Sequence, residues 1–333
     1  KESDYLLFDY HTKKNLELTE TIRDNSRNNS LLWYLDKTKT AMGGRLLKEN
    51  IISPFKDIEK IERRYNYIDT FLTNFLVKEN ISKYLNDIYD LERLTSRISY
   101  GNLNARDLLQ LLKSLSILPK IKTELASIKY DKNLKTLDEL KDLLESSINP
   151  DAPLTLKEGN LIKNGFNKDL DELRNIKNNS REFILNQEAL ERERTGIKNL
   201  KIGYNKVFGY YIEVSKGSVR EVKPEFGYIR KQTLTTGERY ITDTLKEKEK
   251  IILSAEEKII NLEYQIFSDI RSKVLEHVKD IQEISDVLGE VDVLISLTTI
   301  ADKNRLVRPT FNDKHEIKII EGRHPVVDAV IRG

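Results

Sequence analysis

The sequence predicts a mainly α fold: a helical core with two long antiparallel helices that carry a small β-rich insertion at their tip. Three observations carry this expectation. The 333 residues hold only 14 Gly and 7 Pro, about 4% and 2% against usual shares near 7% and 5%. Two stretches, 166–195 and 238–288, contain neither residue. Six of the 14 glycines crowd between those stretches, in 196–237. A chain so poor in turn formers and so rich in Leu, Ile, Lys and Glu favours helices, and its length suits about two domains.

The first ten residues, through Tyr5-Leu6-Leu7-Phe8, read as extended and apolar. Helical spacing takes over from Thr12. Ile81, Tyr84, Leu85, Ile88 and Leu91 fall on one face of a helix. Leu108, Leu109, Leu111, Leu112 and Leu115 form a second stripe, which Asn104 and Asp107 are placed to cap. Leu134, Leu137, Leu140, Leu143, Leu144 and Ile148 form a third, ended by Asn149-Pro150-Asp151-Ala152-Pro153. These stripes are core faces and carry no chemistry.

Beyond that break, residues 166–195 have room for one helix of about 45 Å, and residues 238–288 for one of about 76 Å. Ile252, Ala255, Ile259, Leu262, Ile266 and Ile270 alternate by three and four, as side-by-side helix packing requires. Between the two arms, 200–204, 209–215 and 228–234 read as strands, with Asn205-Lys206-Val207-Phe208 closing a hairpin. Farther on, Ile317-Lys318-Ile319-Ile320 reads as a strand with no sheet to join.

The chain is nearly neutral, with 56 basic and 54 acidic side chains. Its charge is nevertheless unevenly placed. Gly196–Tyr240 holds nine basic residues against four acidic, whereas Ile241–Asp292 holds 13 acidic against seven basic. Positive charge gathered on a protruding module points to a polyanion; the competing reading is that a small module needs polar side chains to stay in solution. Seven aromatics share the segment: Tyr204, Phe208, Tyr210, Tyr211, Phe226, Tyr228 and Tyr240. They read as the core of a small sheet rather than as a base-stacking platform. DNA binding would then rest on phosphate contacts, which position a protein but read no sequence.

Several chemistries have no carrier here. Zero cysteine removes disulfides, thiolate metal sites and cysteine nucleophiles, and the four histidines (His11, His277, His315, His324) are scattered. No phosphate loop, dinucleotide fingerprint or nucleophile elbow occurs. The carboxylates sit among lysines, as in Glu247-Lys248-Glu249-Lys250, and read as solvated ion-pair faces. No apolar run approaches a membrane span. A non-enzymatic, cytoplasmic protein with no metal site is the expectation.

Thr40-Ala41-Met42-Gly43-Gly44-Arg45 resembles the Thr-x-Met-Gly-x-Arg motif of the MutS family of DNA mismatch-recognition proteins. Asp9 to Leu18, Asp90-Leu91-Glu92-Arg93-Leu94 and Arg106-Asp107-Leu108 are similar to that family's core. Gly203-Tyr204-Asn205, Gly209-Tyr210-Tyr211-Ile212, Gln232-Thr233-Leu234 and Glu238-Arg239-Tyr240 resemble its clamp, and Glu321 to Val327 the opening of its ATPase domain. The resemblance implies the end of a connector in 1–12 and a helical core in 13–160. It implies an outgoing lever helix in 161–197, a β-rich clamp in 198–240 and a returning lever helix in 241–275. The core returns in 276–312, and 313–333 begins the ATPase domain.

The implied function is DNA mismatch repair, with a clamp that grips the duplex backbone and levers that couple it to the ATPase. By motif position the backbone contacts fall on Asn205, Lys206, Arg230, Lys231, Thr235, Thr236 and Arg239. Asn205 either bonds a phosphate or simply suits the turn. Thr235 and Thr236 are expected just before the returning helix, holding a phosphate or capping that helix; many relatives carry Lys-Asn there. Arg239 either meets DNA or pairs within the lever.

The mismatch reader's Phe-x-Glu and the phosphate loop do not occur, so the chain reads as an excised core, lever and clamp. ATP and magnesium serve the full-length family, and no cofactor is expected in this stretch. The implied partners are double-stranded DNA and, for the full-length family, mismatch-repair proteins and a second copy; this stretch is expected to be monomeric or weakly dimeric, and nucleoid-associated when DNA-bound. The alternative is a helical scaffold that binds protein partners without DNA affinity. A nuclease ranks third.

Overall fold

Short polar side chains fix where the helices begin. The computed structural model describes residues 4–333. Asp9, Ser30, Thr40 and Asp57 each accept a first-turn backbone N–H, opening α1 (Tyr10–Asn15), α2 (Leu31–Leu35), α3 (Ala41–Ile52) and α4 (Ile58–Thr73). After α5 (Phe75–Leu85), Asp90 caps α6 (Leu91–Tyr100), which ends at Gly101 in the left-handed region. Asn104 and Asp107 form a reciprocal capping box on α7 (Ala105–Ser127), as their spacing predicts. Then come α8 (Asp138–Ser147) and α9 (Lys168–Thr195). Four strands follow, β1 (Lys201–Asn205), β2 (Gly209–Ser215), β3 (Ile229–Thr233) and β4 (Gly237–Ile241). The chain closes with α10 (Asp243–Glu276), α11 (Val278–Lys303) and α12 (Pro325–Arg332). The architecture is mainly α with one small antiparallel sheet, and no helix among the described residues is long and apolar enough to cross a membrane.

The described chain divides into two compact units, one of residues up to Glu145 with Arg271–Gly333, the other Ser146–Ile270. In the first, α11 is the central helix and touches α2 through α6. From Val287 to Ser296 every residue but Glu290 is buried, so that stretch lacks the polar face of a surface helix, whereas Lys279, Glu283 and Asp286 are exposed along the first turns of α11.

One carboxylate ties α11 to the start of α3. Asp292 is fully buried and accepts from the backbone N–H of Lys39 (2.9 Å) and Thr40 (2.8 Å) and from the Thr40 hydroxyl (2.6 Å). The same hydroxyl oxygen accepts from Gly43 N–H at 2.9 Å. Burial lifts the Asp292 pKa above the usual carboxylate range, against the pull of the Thr40 and Lys39 hydrogen bonds. A Cβ on Gly43 would stand 2.1 Å from the Asp292 carboxylate, so only glycine lets the two elements meet. Two residues later the same stretch reaches across the unit: Arg45 forks onto Asp90 at 3.0 and 2.7 Å and touches Glu92 at 3.2 Å.

Other expectations need correction. The stripe from Ile81 to Leu91 is two helices, because Asn86 and Asp87 turn the chain and Asp90 starts α6. Ile81, Leu85, Ile88 and Leu91 are all buried nonetheless. In the third stripe Leu134 and Leu137 precede α8, with Leu137 at φ +49°. The Gly- and Pro-free run 238–288 is not one helix: β4 occupies its start, and His277 separates α10 from α11. Helix α11 passes through Gly289, where a Cβ would stand 3.6 Å from Met42 Cβ. Residues 317–320 form no strand, and Ile317, Ile319 and Ile320 are exposed; a lone strand would leave its backbone groups without partners.

In the second unit, α9 and α10 run antiparallel. Arg174 of α9 meets Glu263 of α10 at 3.2 Å, and Phe183 farther along α9 meets Lys248 nearer the start of α10. Glu263 is buried and also accepts from the backbone N–H groups of Asn160 (3.1 Å), Leu161 and Ile162 (3.0 Å). The alternating stripe of α10 is inward as its spacing predicts, with Ile252, Ala255, Ile259, Ile266 and Ile270 buried.

Two outcomes test this description. Gly43→Ala is expected to cost about 2 to 3 kcal/mol of stability, read by urea unfolding, because the new methyl displaces the Asp292 carboxylate. Burial alone would raise the Glu290 pKa, but hydrogen bonds from Lys132, Tyr130 and Arg63 carry it below its ordinary 4.5. Its stabilisation is complete above that value and is lost as pH falls through the lowered native pKa. Glu290→Gln is therefore expected to flatten the acid limb of a Tm-against-pH curve.

Candidate nucleic-acid interface

The sheet of the second unit is antiparallel, in the order β1-β2-β4-β3. Asn205 lies opposite Gly209, Ile212 opposite Tyr240 and Ser215 opposite Gly237. Arg230 pairs with Tyr240 and Gln232 with Arg239, which leaves Lys231 as the extra residue of a β-bulge.

One face is the core of the module. Ile212, Val214 and Tyr240 are buried there with Ile197, Leu200 and Leu245, flanked by Ile202, Tyr210, Phe226 and Tyr228. Most of the aromatics thus pack against one another: Phe226 on Tyr228 (5.8 Å) and Tyr228 on Tyr240 (5.5 Å). Tyr228 donates to Glu191 at 2.5 Å, and Arg194 forks onto the same carboxylate at 3.1 and 3.0 Å. Burial, then the Glu191 hydrogen bond, pushes the Tyr228 hydroxyl above its usual range.

Carboxylates of both long helices complete this packing. Glu188 of α9 accepts from Ile202 N–H at 2.9 Å. Glu249 of α10 is buried, accepts from Tyr210 N–H at 3.3 Å and pairs with Lys246 at 2.9 Å. The expectation of a solvated ion-pair face over 247–250 is therefore wrong at Glu249, because α10 turns that side chain onto the hairpin. Gly209, at φ +80°, makes room for it: a Cβ there would lie 1.6 Å from a Glu249 carboxylate oxygen.

The opposite face carries a cross-strand ladder. Tyr211 lies over Gly203, and the Arg239 guanidinium sits 4.3 Å from the Tyr211 ring centroid. Arg239 also reaches Glu213 at 3.0 Å and Gln232 at 2.9 Å. Its ion pair is with the neighbouring strand, not with the lever helix.

The seven sequence-derived contact residues occupy three places. Asn205 and Lys206 form the β1–β2 turn, where Asn205 Oδ1 accepts from Val207 N–H at 2.7 Å; the turn role is thus filled by the oxygen of that side chain. Arg230, 3.5 Å from Glu238, and the exposed Lys231 lie on the edge strand β3. Thr235 and Thr236 do not precede a helix. They are the loop between β3 and β4, closed by Leu234 N–H donating to Gly237 O at 2.7 Å, while Thr242 caps α10 through Leu245 N–H at 3.1 Å.

By register this loop is at the far end of β2 from Lys206, about 20 Å away at 3.4 Å per residue. Thr236 O accepts from Lys216 N–H at 2.9 Å, so Lys216 shares that end. Of the nine basic residues of the module only Arg239 is withdrawn from solvent; Lys198, Lys201, Lys216, Arg220 and Lys223 are exposed with the rest. Sequence reading missed strand β4. Its signal was Gly237 opening an alternating Glu238-Arg239-Tyr240-Ile241 run.

Residues 11–298 match the family model described as MutS domain III. The chain belongs to the MutS domain III family. Curated relatives named DNA mismatch repair protein MutS, from Staphylococcus aureus strains bovine RF122 / ET3-1 and MRSA252, are each 46% identical over 98% of this chain. The chain spans 38% of the length of those relatives.

The packing of this MutS domain III module makes one position decisive. Gly209→Ala is expected to lower the melting temperature of the second unit, because it sets a methyl against the buried Glu249 at a backbone angle that disfavours L side chains. Paired with Glu249→Ala, which vacates that space, the glycine substitution is expected to cost less than it does alone, read by a double-mutant cycle of thermal unfolding.

Proposed function

We propose that this chain holds duplex DNA by its phosphate backbone, without reading sequence, as part of a protein of DNA mismatch repair. One observation carries the reading: eight of nine basic side chains of the β module are exposed around a sheet whose other face is filled by its own core. Cations spread along an edge and two ends, rather than gathered in a pocket, suit a row of phosphates spaced along a duplex. Asn205, Lys206, Arg230, Lys231, Thr235 and Thr236 supply the contacts. Arg239, held by Glu213, Gln232 and Tyr211, acts by keeping β4 and β3 in register beneath Arg230 and Lys231.

In a longer protein of the MutS family, we further propose that α9 and α10 pass the state of an ATPase domain to this sheet, with Glu263 and Arg174 keeping the two helices together. No catalytic step is assigned to the chain itself. Mismatch-repair proteins and a second copy are partners proposed for the longer protein alone.

The test is fluorescence anisotropy of a labelled duplex, matched and mismatched, titrated with the chain across a salt series. Equal affinity for both is expected, with log K falling against log salt by about 0.9 per phosphate engaged, a slope of roughly −3 to −5. Reversing Lys206, Arg230 and Lys231 to Glu is expected to weaken binding at least tenfold and flatten that slope. Absence of binding at low salt overturns the reading in favour of a scaffold for protein partners, for which exposed Leu185, Leu190, Ile251 and Ile260 on the long helices would serve.

A further inference from the structure

Half-buried arginines in this chain have partners. Among the described residues, Arg63, Arg97, Arg174, Arg192 and Arg239 are half-buried, and each has a carboxylate within 3.2 Å. Arg271 donates to the carbonyls of Gly101 and Leu103 at 3.4 Å. Arg64 is the exception. It is half-buried on α4 with no carboxylate and no hydrogen bond among the described residues, its guanidinium resting 4.5 Å from the centroid of the Phe55 ring.

Arg64 lines a cavity of about 420 Å³ in the first unit, within the usual span of small-molecule sites. Phe55, with Tyr5 5.7 Å from it ring to ring, and Leu46, Val293 and Leu294 give the cavity an apolar wall. Three more cations line it, and all are already neutralised: Lys60 by Asp4 (3.0 Å), Arg63 by Asp131 (2.6 Å), and Lys132 by Glu290 (2.6 Å). The cavity therefore has one uncompensated charge, and that charge is a fork of N–H donors. Burial first, then the neighbouring Arg63 charge, pushes the Arg64 pKa below the ordinary arginine value, against the weaker pull of Tyr65 and Glu290, neither of which is hydrogen-bonded to it. A guanidinium withdrawn from water without an acid is costly, and an oxyanion accepting two parallel N–H bonds removes that cost.

We propose that this cavity binds a small organic oxyanion, a carboxylate or phosphate ester carried on a flat apolar body. The oxyanion meets the Arg64 fork, and the flat body lies against Phe55 and the aliphatic wall. Glu290 stays bound to Arg63, Lys132 and Tyr130 and does not compete for Arg64. The site is separate from the basic sheet proposed to meet DNA.

Ligand-observed NMR and calorimetry on the whole chain test this, with benzoate and phenyl phosphate as probes at constant ionic strength. Saturable binding of at least one is expected, and the stronger of the two identifies the oxyanion. Arg64→Gln is expected to weaken it about tenfold or more, and Arg64→Lys to recover only part of that loss, since lysine restores the charge but not the fork. Phe55→Leu changes no charge and is expected to weaken binding about threefold, which keeps the test open if Arg64→Gln unfolds. Failure of both probes to saturate, or unchanged affinity in Arg64→Gln, overturns the proposal.

Discussion

The first unit depends on a carboxylate that water never reaches. Asp292 stands on the central helix and satisfies the N–H groups where α3 begins, so a helix start that would otherwise need solvent is finished inside the core. Everything in the Thr40–Arg45 motif follows from that contact. Thr40 bridges Asp292 to the first turn, Gly43 concedes the space of a side chain, and Met42 packs beside Gly289 one turn from Asp292. Arg45 then uses the fixed direction of α3 to clamp Asp90 at the head of α6. Two motifs far apart in sequence are thus one mechanical joint.

The second unit repeats the device with different residues. Glu263 gathers three successive backbone N–H groups and Arg174, and Glu249 gathers the hairpin strand and Lys246. In each case a buried acid on a long helix fastens a segment outside that helix, residues 160–162 for Glu263 and strand β2 at Tyr210 for Glu249. Buried acids of this kind give way steeply when a partner is removed, because the charge that remains is unpaired.

How much of this was legible follows from range. Local signals were legible: the Asn104–Asp107 cap, the 28-residue span of α9, the β1–β2 turn and the inward stripe of α10 were all readable from neighbours in sequence. Signals that rest on distant partners were not. Nothing beside Asp292 announces that its donors lie at Lys39 and Thr40, and Glu249 sits in a run of alternating charge that reads as solvent-facing. Periodicity also misled where a turn preserved it: Ile88 and Leu91 continue the phase of Ile81 and Leu85 although a turn and a new cap intervene. At the proposed DNA interface the residue types were legible and their grouping was not, since strand order alone sends Lys206 and Thr235 to opposite ends of one sheet.

The bulge at Lys231 has a bearing on solubility. An edge strand offers a row of unpaired N–H and C=O groups to any other extended chain, and an edge that is regular and apolar invites strand addition. β3 is five residues long, has its register broken between Arg230 and Gln232, and carries two adjacent cations at the break. A second strand cannot follow it in step, and a second copy of β3 would meet like charge. The side chains that make the module attractive to a polyanion therefore also guard it against self-association through its open edge.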